Sequence, residues 1–326
     1  MLSKWIWAVA LMGAAVVAQA DQTLLNVSYD PTRELYEQIN PKFVAYWKAQ
    51  SGQTVTIQMS HGASGAQARS VIAGLRADVV TLGAATDIDA LHQQADLLPA
   101  NWQQRLPADS TPYTSTIIFL VRQGNPKHIV DWNDLTRAGV SVVAANPKTS
   151  AAGRWNFLAA YAYAQKHNKD PQGVRDFLKA LYKHAAVLPD GSRASTIAFT
   201  QQQIGDVLLA WENEAFLALK EAGAGKFQIV VPSISMLAQP PVAIVDKVVQ
   251  QRGTQKLAEA YLHYLYTPEA QEIIAENFYR PTDPTVAARH ASEFPKVTLV
   301  NISAFGGWPA AQKQFFDDGG LFDQLY

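Results

Sequence analysis

Three short loops rich in serine and other small residues each separate a strand-like segment from a helix-like one. They are GASG at 62–65, KTSAAG at 148–153 and GSRAST at 191–196. Serine is a favoured N-cap residue, and the first turn of a helix has backbone N–H groups with no partner inside the helix. Those N–H groups and the positive end of the helix dipole together form a binding site for an anion.

A fourth candidate for the same chemistry is Asp30, which precedes Pro31 in SYDPTRELYEQ. Proline is preferred at the first position of a helix, so a helix is expected to begin here. Asp30 can be a plain N-cap residue or part of a ligand site, and the residues alone leave both interpretations open. A serine before a single helix is likewise often only a cap, whereas three such loops in one chain favour a site.

The elements that must position these loops follow an alternating pattern typical of an α/β protein with mainly parallel sheets. In such sheets the carboxyl ends of strands and the starts of helices lie at one edge, where ligands bind. The predicted strands are 24–30, 54–60, 77–83, 115–121, 140–146, 205–211, 227–233 and 242–249, and the helix candidates include 33–50, 67–75, 155–167, 172–183 and 255–266.

Two stretches rich in proline and in serine or threonine, 106–127 and 230–245, indicate that the chain crosses twice between two domains. The predicted first domain consists of residues 21–114 and of residues 236–326, which also provide the C-terminal helices. Residues 115–235 form the predicted second domain. Two crossings of this kind predict a hinge with a cleft between the domains.

The composition excludes several classes of protein. The 326 residues have a formal net charge of -1 and no run of Lys or Arg, which disfavours a nucleic-acid partner. The 48% hydrophobic residues are enough for large cores, and the absence of cysteine excludes disulfides and thiol nucleophiles. Lys4, the apolar stretch 5–17 and the small residues of AQA at 18–20 predict a signal peptide over 1–20, with Asp21 as the first mature residue.

Catalytic and metal sites are weakly supported. GASGA lacks the spacing of the G-x-S-x-G nucleophile elbow, and the seven histidines show no H-x-x-x-H spacing. The sequence therefore predicts no metal, no cofactor and no enzymatic activity. The alternative from a different class is a hydrolase of phosphate or sulfate esters, with Ser64 or Ser150 as nucleophile and His61 or Asp30 as the nearby base.

Longer blocks of sequence indicate a family. They are LLNVSYDPTRELYEQ (24–38), SHGASGAQARSVIAGLRADVVTL (60–82), ANPKTSAAGRWNFLAA (145–160), GDVLLAWENEA (205–215) and NFYRP (277–281). Through them, and over essentially the whole mature chain, the sequence resembles the periplasmic sulfate-binding proteins of ABC importers. The resemblance implies the type II periplasmic binding protein fold, in which two domains close over a dehydrated oxyanion. It also implies a monomeric periplasmic receptor that delivers sulfate to the membrane permease of an importer.

The resemblance further implies which groups contact the anion, all of them uncharged hydrogen-bond donors. Transferred to matching positions, these are the N–H groups of Asp30 and Ser64, the hydroxyl of Ser150, the N–H groups of Ala151, Ala152 and Ser192, and the indole N–H of Trp211.

A site made only of donors suits sulfate, which has no proton to donate, whereas an acceptor would favour hydrogen phosphate. The chain departs from the family pattern at Ala151 and Ala152, where glycines are common, and at Ser192, where a small apolar residue is common. These changes leave thiosulfate, molybdate and tungstate open as alternative ligands, although the rigid donor of Trp211 favours sulfate.

Overall fold

The computed structural model describes residues 22–168, 170–223 and 225–325, so the predicted signal peptide at 1–20 lies outside the described residues. The strands are β1 (Gln22–Tyr29), β2 (Val55–Gly62), β3 (Val79–Thr81), β4 (Tyr113–Thr114), β5 (Ile117–Arg122), β6 (Val142–Val143), β7 (Ala185–Val187), β8 (Val207–Trp211), β9 (Phe227–Val230), β10 (Ile234–Met236), β11 (Val242–Ile244), β12 (Arg280–Pro281) and β13 (Thr298–Val300).

The helices alternate with these strands through most of the chain. They are α1 (Arg33–Ser51), α2 (Ser64–Ile72), α3 (Ala85–Ala95), the short α4 (Pro107–Ser110), α5 (Ala151–His167), α6 (Pro171–Lys183), α7 (Ser192–Thr200), α8 (Glu212–Ala222), α9 (Asp246–Arg252), α10 (Gln255–Tyr264), α11 (Pro268–Glu276), α12 (Pro284–His290), α13 (Gly307–Ala311) and α14 (Leu321–Leu325). A 3-10 turn at Asp30–Thr32 leads directly into α1.

The first sheet has four strands in the order β11-β3-β1-β2. β1 is parallel to both of its neighbours, with Tyr29 opposite Gly62 and Ser28 opposite Thr81. This register brings the carboxyl ends of β1 and β2 to the same edge of the sheet. The loops that contain Asp30 and Ser64 therefore begin side by side.

The second sheet has five strands in the order β7-β6-β8-β5-β9. β6, β7 and β8 are parallel, whereas β5 runs antiparallel to both β8 and β9. Ile117 at the start of β5 lies opposite Trp211 at the end of β8. The expected α/β class is confirmed, but the sheets are more mixed than mainly parallel. β5 follows directly after the crossing segment and starts at the edge where the parallel strands end. It must therefore run in the direction opposite to theirs.

The two crossing segments lie next to each other. Ser115 and Ala238 exchange both backbone hydrogen bonds, each at 2.9 Å between nitrogen and oxygen, in an isolated antiparallel bridge. The predicted hinge corresponds to this pair of segments, and the predicted domain boundaries stay a proposal.

The end of the chain packs against β10 and α5. β13 pairs with β10, and Phe157 of α5 contacts Phe316 and Phe322, with ring centroids 5.4 and 6.1 Å apart. α5 is buried around most of its circumference, so its outer side needs apolar cover. The last residues supply that cover on the second sheet's side of the molecule.

Most predicted segments contain an element of the expected type, with different ends. The predicted strand 242–249 is wrong in its second half, because β11 ends at Ile244 and α9 begins at Asp246. The helix predicted from residue 67 begins at Ser64, and the one predicted from residue 155 begins at Ala151. Both helices start inside the small-residue loops.

One buried carboxylate connects three elements of the first sheet's side. Asp78, which is fully buried, accepts hydrogen bonds from the N–H of Leu25 at 2.7 Å, from Arg252 at 2.6 Å and from the Thr254 hydroxyl at 2.5 Å. It thereby joins β1 to the α9–α10 connection. Removing one partner of a buried ion pair leaves the other charge without compensation.

We expect Asp78→Ala to lower the free energy of global unfolding in urea by about 3–5 kcal/mol. The matched control is Asp318→Ala, because Asp318 is fully exposed and its ion pair with Lys148 should contribute about 0–1 kcal/mol. Equal effects of the two substitutions would contradict a structural role for the buried carboxylate.

Candidate anion-binding site

Five helical segments begin around one small pocket between the two sheets: the 3-10 turn at 30–32, α2, α5, α7 and α8. The structure brings all seven residues named from the sequence together at this pocket. Its lining consists of Tyr29, Asp30, Pro31, Gly62, Ala63, Ser64, Ser150, Ala151, Ala152, Ser192 and Trp211. None of these lining residues is a Lys, Arg or His.

The pocket is small and its walls are mostly buried. The space between the lining residues, including the part open to solvent, is about 170 Å³, and the seven residues are buried except for Asp30, which is partly exposed. A charged ligand here would lose its hydration shell, which is costly unless the protein supplies replacement hydrogen bonds. What the pocket can bind therefore depends on the polar groups that face it.

On the first sheet's side, the available donors are backbone N–H groups at the start of helical segments. Asp30 and Ser64 are each the first residue of such a segment. The hydroxyl of Ser64 is already engaged, because it donates to Asp87 at 2.5 Å and accepts from the N–H of Gly83 at 2.9 Å. The backbone N–H is thus the group that Ser64 can offer to a ligand.

On the second sheet's side, Ser150 is the N-cap residue of α5. Its hydroxyl oxygen accepts from the N–H of Ala152 at 3.1 Å, so its proton can be donated to a ligand. The N–H of Ala152, which we expected to face the anion, makes this capping bond in the structure. The N–H of Ala151 and the N–H of Ser192 are the first in their helices.

The alanines at 151 and 152 fit the backbone without strain. Both lie in the first turn of α5, and neither has a positive φ. Gly153 is different, since a Cβ there would lie 2.5 Å from the carbonyl oxygen of Ala145 and from the nitrogen of Pro147. The glycine that close packing requires is therefore present, and the two preceding alanines leave the backbone N–H groups unchanged.

Trp211 has a buried donor with no partner. It is fully buried at the end of β8, and its Nε1 makes no hydrogen bond within the described part of the chain. Other buried tryptophans do: Nε1 of Trp155 donates to the Gly83 carbonyl and Nε1 of Trp132 to the Ile234 carbonyl, each at 2.8 Å. A buried indole N–H normally has an acceptor. The ring of Tyr29 packs 5.7 Å from that of Trp211.

Two arginines beside the pocket are paired with carboxylates. Arg193, next to Ser192, binds Glu34 at 2.8 Å and Glu214 at 2.9 Å. Arg154, one turn into α5, binds Asp87 at 2.5 Å. These ion pairs connect elements of the two sheets, so they hold the cleft shut while their charge is neutralised.

Asp30 and His61 are the two titratable groups named from the sequence as possible bases. Burial raises the pKa of Asp30, which Arg33 and Arg193 partly counteract. Burial, reinforced by the charges of Arg33 and Arg193, lowers the pKa of His61 to about 4, so His61 is neutral at neutral pH. Asp87, not His61, accepts the hydrogen bond of the Ser64 hydroxyl.

Sequence reasoning missed Asp87 and Arg154, which join the two sides of the cleft. Asp87 lies in DIDALHQQAD, where acids are also explained by the start of a helix, and its partner is 67 residues away. No cluster of three or more His, Cys, Asp or Glu suited to a metal ion occurs among residues 22–168, 170–223 and 225–325. Within the same ranges, no helix has the length and apolar character needed to cross a membrane.

Comparisons with known proteins agree with this geometry. Residues 24–280 match the family model described as bacterial extracellular solute-binding protein. The chain is 55% identical to the sulfate-binding protein of Escherichia coli (strain K12) over 99% of both chains, and 49% identical to the thiosulfate-binding protein of Pseudomonas aeruginosa, also over 99% of both.

A solved structure has the same fold. The sulfate-binding protein SubI from Mycobacterium tuberculosis H37Rv superposes with a TM-score of 0.82 at 33% identity, covering 91% of this chain and all of SubI. Together with the matched family model, this shows that the chain belongs to the bacterial extracellular solute-binding proteins and has their two-lobed type II fold.

Proposed function

We propose that this chain is a periplasmic receptor that binds sulfate through uncharged hydrogen-bond donors and delivers it to the membrane permease of an ABC importer. The observation that carries the proposal is the buried, unpaired indole N–H of Trp211 in a pocket formed by helix starts. An indole can only donate, so its partner must be an acceptor. The names of the two bacterial relatives point to sulfur oxyanions as that acceptor.

Helix starts are a suitable environment for a dianion. A hydrogen bond to a charged group contributes about 1.5–3 kcal/mol, so several are needed to offset desolvation and leave about 8 kcal/mol for micromolar affinity. The Asp30 loop, α2, α5 and α7 each present backbone N–H groups at the pocket, and Trp211, which precedes α8, adds its indole. Because these donors belong to the backbone, their positions are fixed before the ligand arrives.

The donor set also supports discrimination against phosphate. Hydrogen phosphate carries a proton that needs an acceptor, whereas sulfate does not. Of the groups assigned to the anion, only the hydroxyl of Ser150 can also accept, and one of its lone pairs is taken by the N–H of Ala152. The O–H group of a protonated oxyanion would therefore face the N–H and O–H donors of the protein instead of an acceptor.

Thiosulfate is the second candidate ligand, because the Pseudomonas aeruginosa relative at 49% identity is a thiosulfate-binding protein. Its three oxygens can accept the same hydrogen bonds, and its terminal sulfur is a weaker acceptor. Molybdate and tungstate, which are also tetrahedral dianions, are further outcomes of the same binding experiment.

We propose that the receptor is not an enzyme. The hydroxyl of Ser64 donates to Asp87, whose carboxylate is neutralised by its ion pair with Arg154, and the hydroxyl of Ser150 caps α5. Neither serine is paired with His61 as a base. An ester hydrolase would need a base in contact with its nucleophile. A chromogenic ester assay tests this directly: turnover that Ser64→Ala abolishes would overturn the receptor proposal.

The function is tested by calorimetric titration of the ligand-stripped chain from Asp21 onward. We expect one sulfate per chain with micromolar or tighter affinity. Phosphate should bind at least about 10³-fold more weakly, because the proton of hydrogen phosphate would face donors and find no acceptor. Competition with thiosulfate, molybdate and tungstate ranks the alternatives. Absence of sulfate binding, with uptake of another of these anions, would replace the proposed ligand.

Trp211→Phe is expected to weaken sulfate binding about 10- to 150-fold, because it removes one hydrogen bond to a charged ligand while retaining an aromatic ring. The matched control is Trp102→Phe, because the indole of Trp102 donates to Asp89 and neither residue lines the pocket. The control should bind sulfate like the unmodified chain. Unchanged affinity in Trp211→Phe would remove the indole from the site.

A further inference from the structure

Two short sequence blocks lie next to each other in the structure. Of their residues, only Trp211 is among the groups proposed to contact the anion. Residues 211–213 (WEN) connect β8 to α8, and residues 279–281 (YRP) lead into and form β12. β12 pairs with β4, which belongs to the crossing segment near the hinge. The first block belongs to the second sheet's side and the second block packs with the first sheet's core.

The first contact between the blocks is a buried bidentate ion pair. The carboxylate of Glu212, which is fully buried, accepts from Nε of Arg280 at 2.7 Å and from an Nη of Arg280 at 2.8 Å. Arg280 is held in place by a hydrogen bond to the Pro295 carbonyl and by the face of Phe294. Glu212, which immediately follows Trp211, is thus held in a fixed position.

The second contact reaches the Asp30 loop. Nδ2 of Asn213 donates to the hydroxyl of Tyr279 at 2.9 Å, and that hydroxyl donates to the carbonyl of Pro31 at 2.7 Å. Nδ2 of Asn213 also approaches the Pro31 carbonyl at 3.4 Å. The residue after Asp30 and the second residue after Trp211 are therefore joined through one buried hydroxyl.

A backbone bond completes the connection to the hinge. The N–H of Glu212 donates to the carbonyl of Thr116 at 2.9 Å, between the bridge residue Ser115 and the start of β5. The first residue of α8 is therefore attached both to the crossing strand and, through Arg280, to β12 beside it. A rotation of the lobes about the crossing segments would move these groups less than any others along α8.

We propose that Glu212, Asn213, Tyr279 and Arg280 form a positioning network that sets the indole N–H of Trp211 at a fixed distance from the N–H of the Asp30 loop. None of the four is among the groups assigned to the anion. They act on the ligand through Trp211 and Asp30, which belong to opposite sides of the cleft. The inference rests on the proposed function, since its effect is measured as anion affinity.

Because a hydrogen bond weakens steeply with misalignment, loosening either donor should lower affinity without removing any ligand group. We expect Glu212→Gln to weaken sulfate binding about tenfold, with a faster dissociation rate. The conservative Arg280→Lys keeps the charge but loses the bidentate geometry, so its effect should be intermediate. Tyr279→Phe tests the second contact independently, since it keeps the buried ring and removes only the hydroxyl.

A double-mutant cycle with Trp211→Phe separates positioning from general destabilisation. If Glu212 acts through the indole, Glu212→Gln should cost about tenfold in the unmodified chain and much less in the Trp211→Phe background. A purely structural role predicts the same loss in both backgrounds. The matched control is Glu221→Gln, an exposed position on the same helix, which should leave affinity unchanged.

The outcomes are distinguishable from failure of the proposed function. If the unmodified chain binds none of the tested oxyanions, the proposed function itself is wrong. If it binds sulfate, the network is contradicted when Glu212→Gln and Tyr279→Phe both bind like Glu221→Gln, or when the Glu212→Gln loss persists fully beside Trp211→Phe. Should Glu212→Gln fail to fold, Tyr279→Phe combined with Trp211→Phe provides the same cycle.

Discussion

For the proposed function, the constraint on which the rest of the structure depends is the burial of a double negative charge without a bound cation. The oxygens of such a ligand must meet donors, because the walls of the pocket are mostly buried and contain no basic side chain. The chain meets this requirement with the starts of helical segments, whose first N–H groups have no partner inside the helix. The parallel strands β1 and β2 bring two of those starts together, α5 and α7 supply two more, and the indole of Trp211 adds a side-chain donor.

The ion pairs around the pocket have a different task from the donors that line it. Arg154 with Asp87 and Arg193 with Glu34 connect the two sides of the cleft, and each arginine is neutralised by its carboxylate partner. The indole of Trp155 adds a neutral bond across the same gap to the carbonyl of Gly83. Closure can therefore be stabilised by charge pairs while the ligand itself meets only uncharged groups, which allows it to leave again when the lobes separate.

Much of the site could be predicted from sequence because it is built from local patterns. A strand, a small-residue loop and a helix occur together at Ser64, Ser150 and Ser192, and α/β topology places such loops at one edge. Trp211 needed the family resemblance, since a tryptophan at the end of a strand is otherwise a plain core residue. What sequence could not provide were contacts between distant positions, such as Asp87 with Arg154 and Glu212 with Arg280, because buried charge pairs leave no periodic signal. The direction of β5 and the packing of the C-terminal residues depend likewise on tertiary arrangement.

The most direct test of the account is a crystal structure of the chain with sulfate bound. We predict an anion within hydrogen-bonding distance of the N–H groups of Asp30, Ser64, Ala151 and Ser192, of the Ser150 hydroxyl and of Nε1 of Trp211, with no atom of a lysine, arginine or histidine side chain in contact. A sulfate held directly by Arg154 or Arg193, or bound at a place other than this pocket, would contradict the claim that uncharged donors alone bind the dianion.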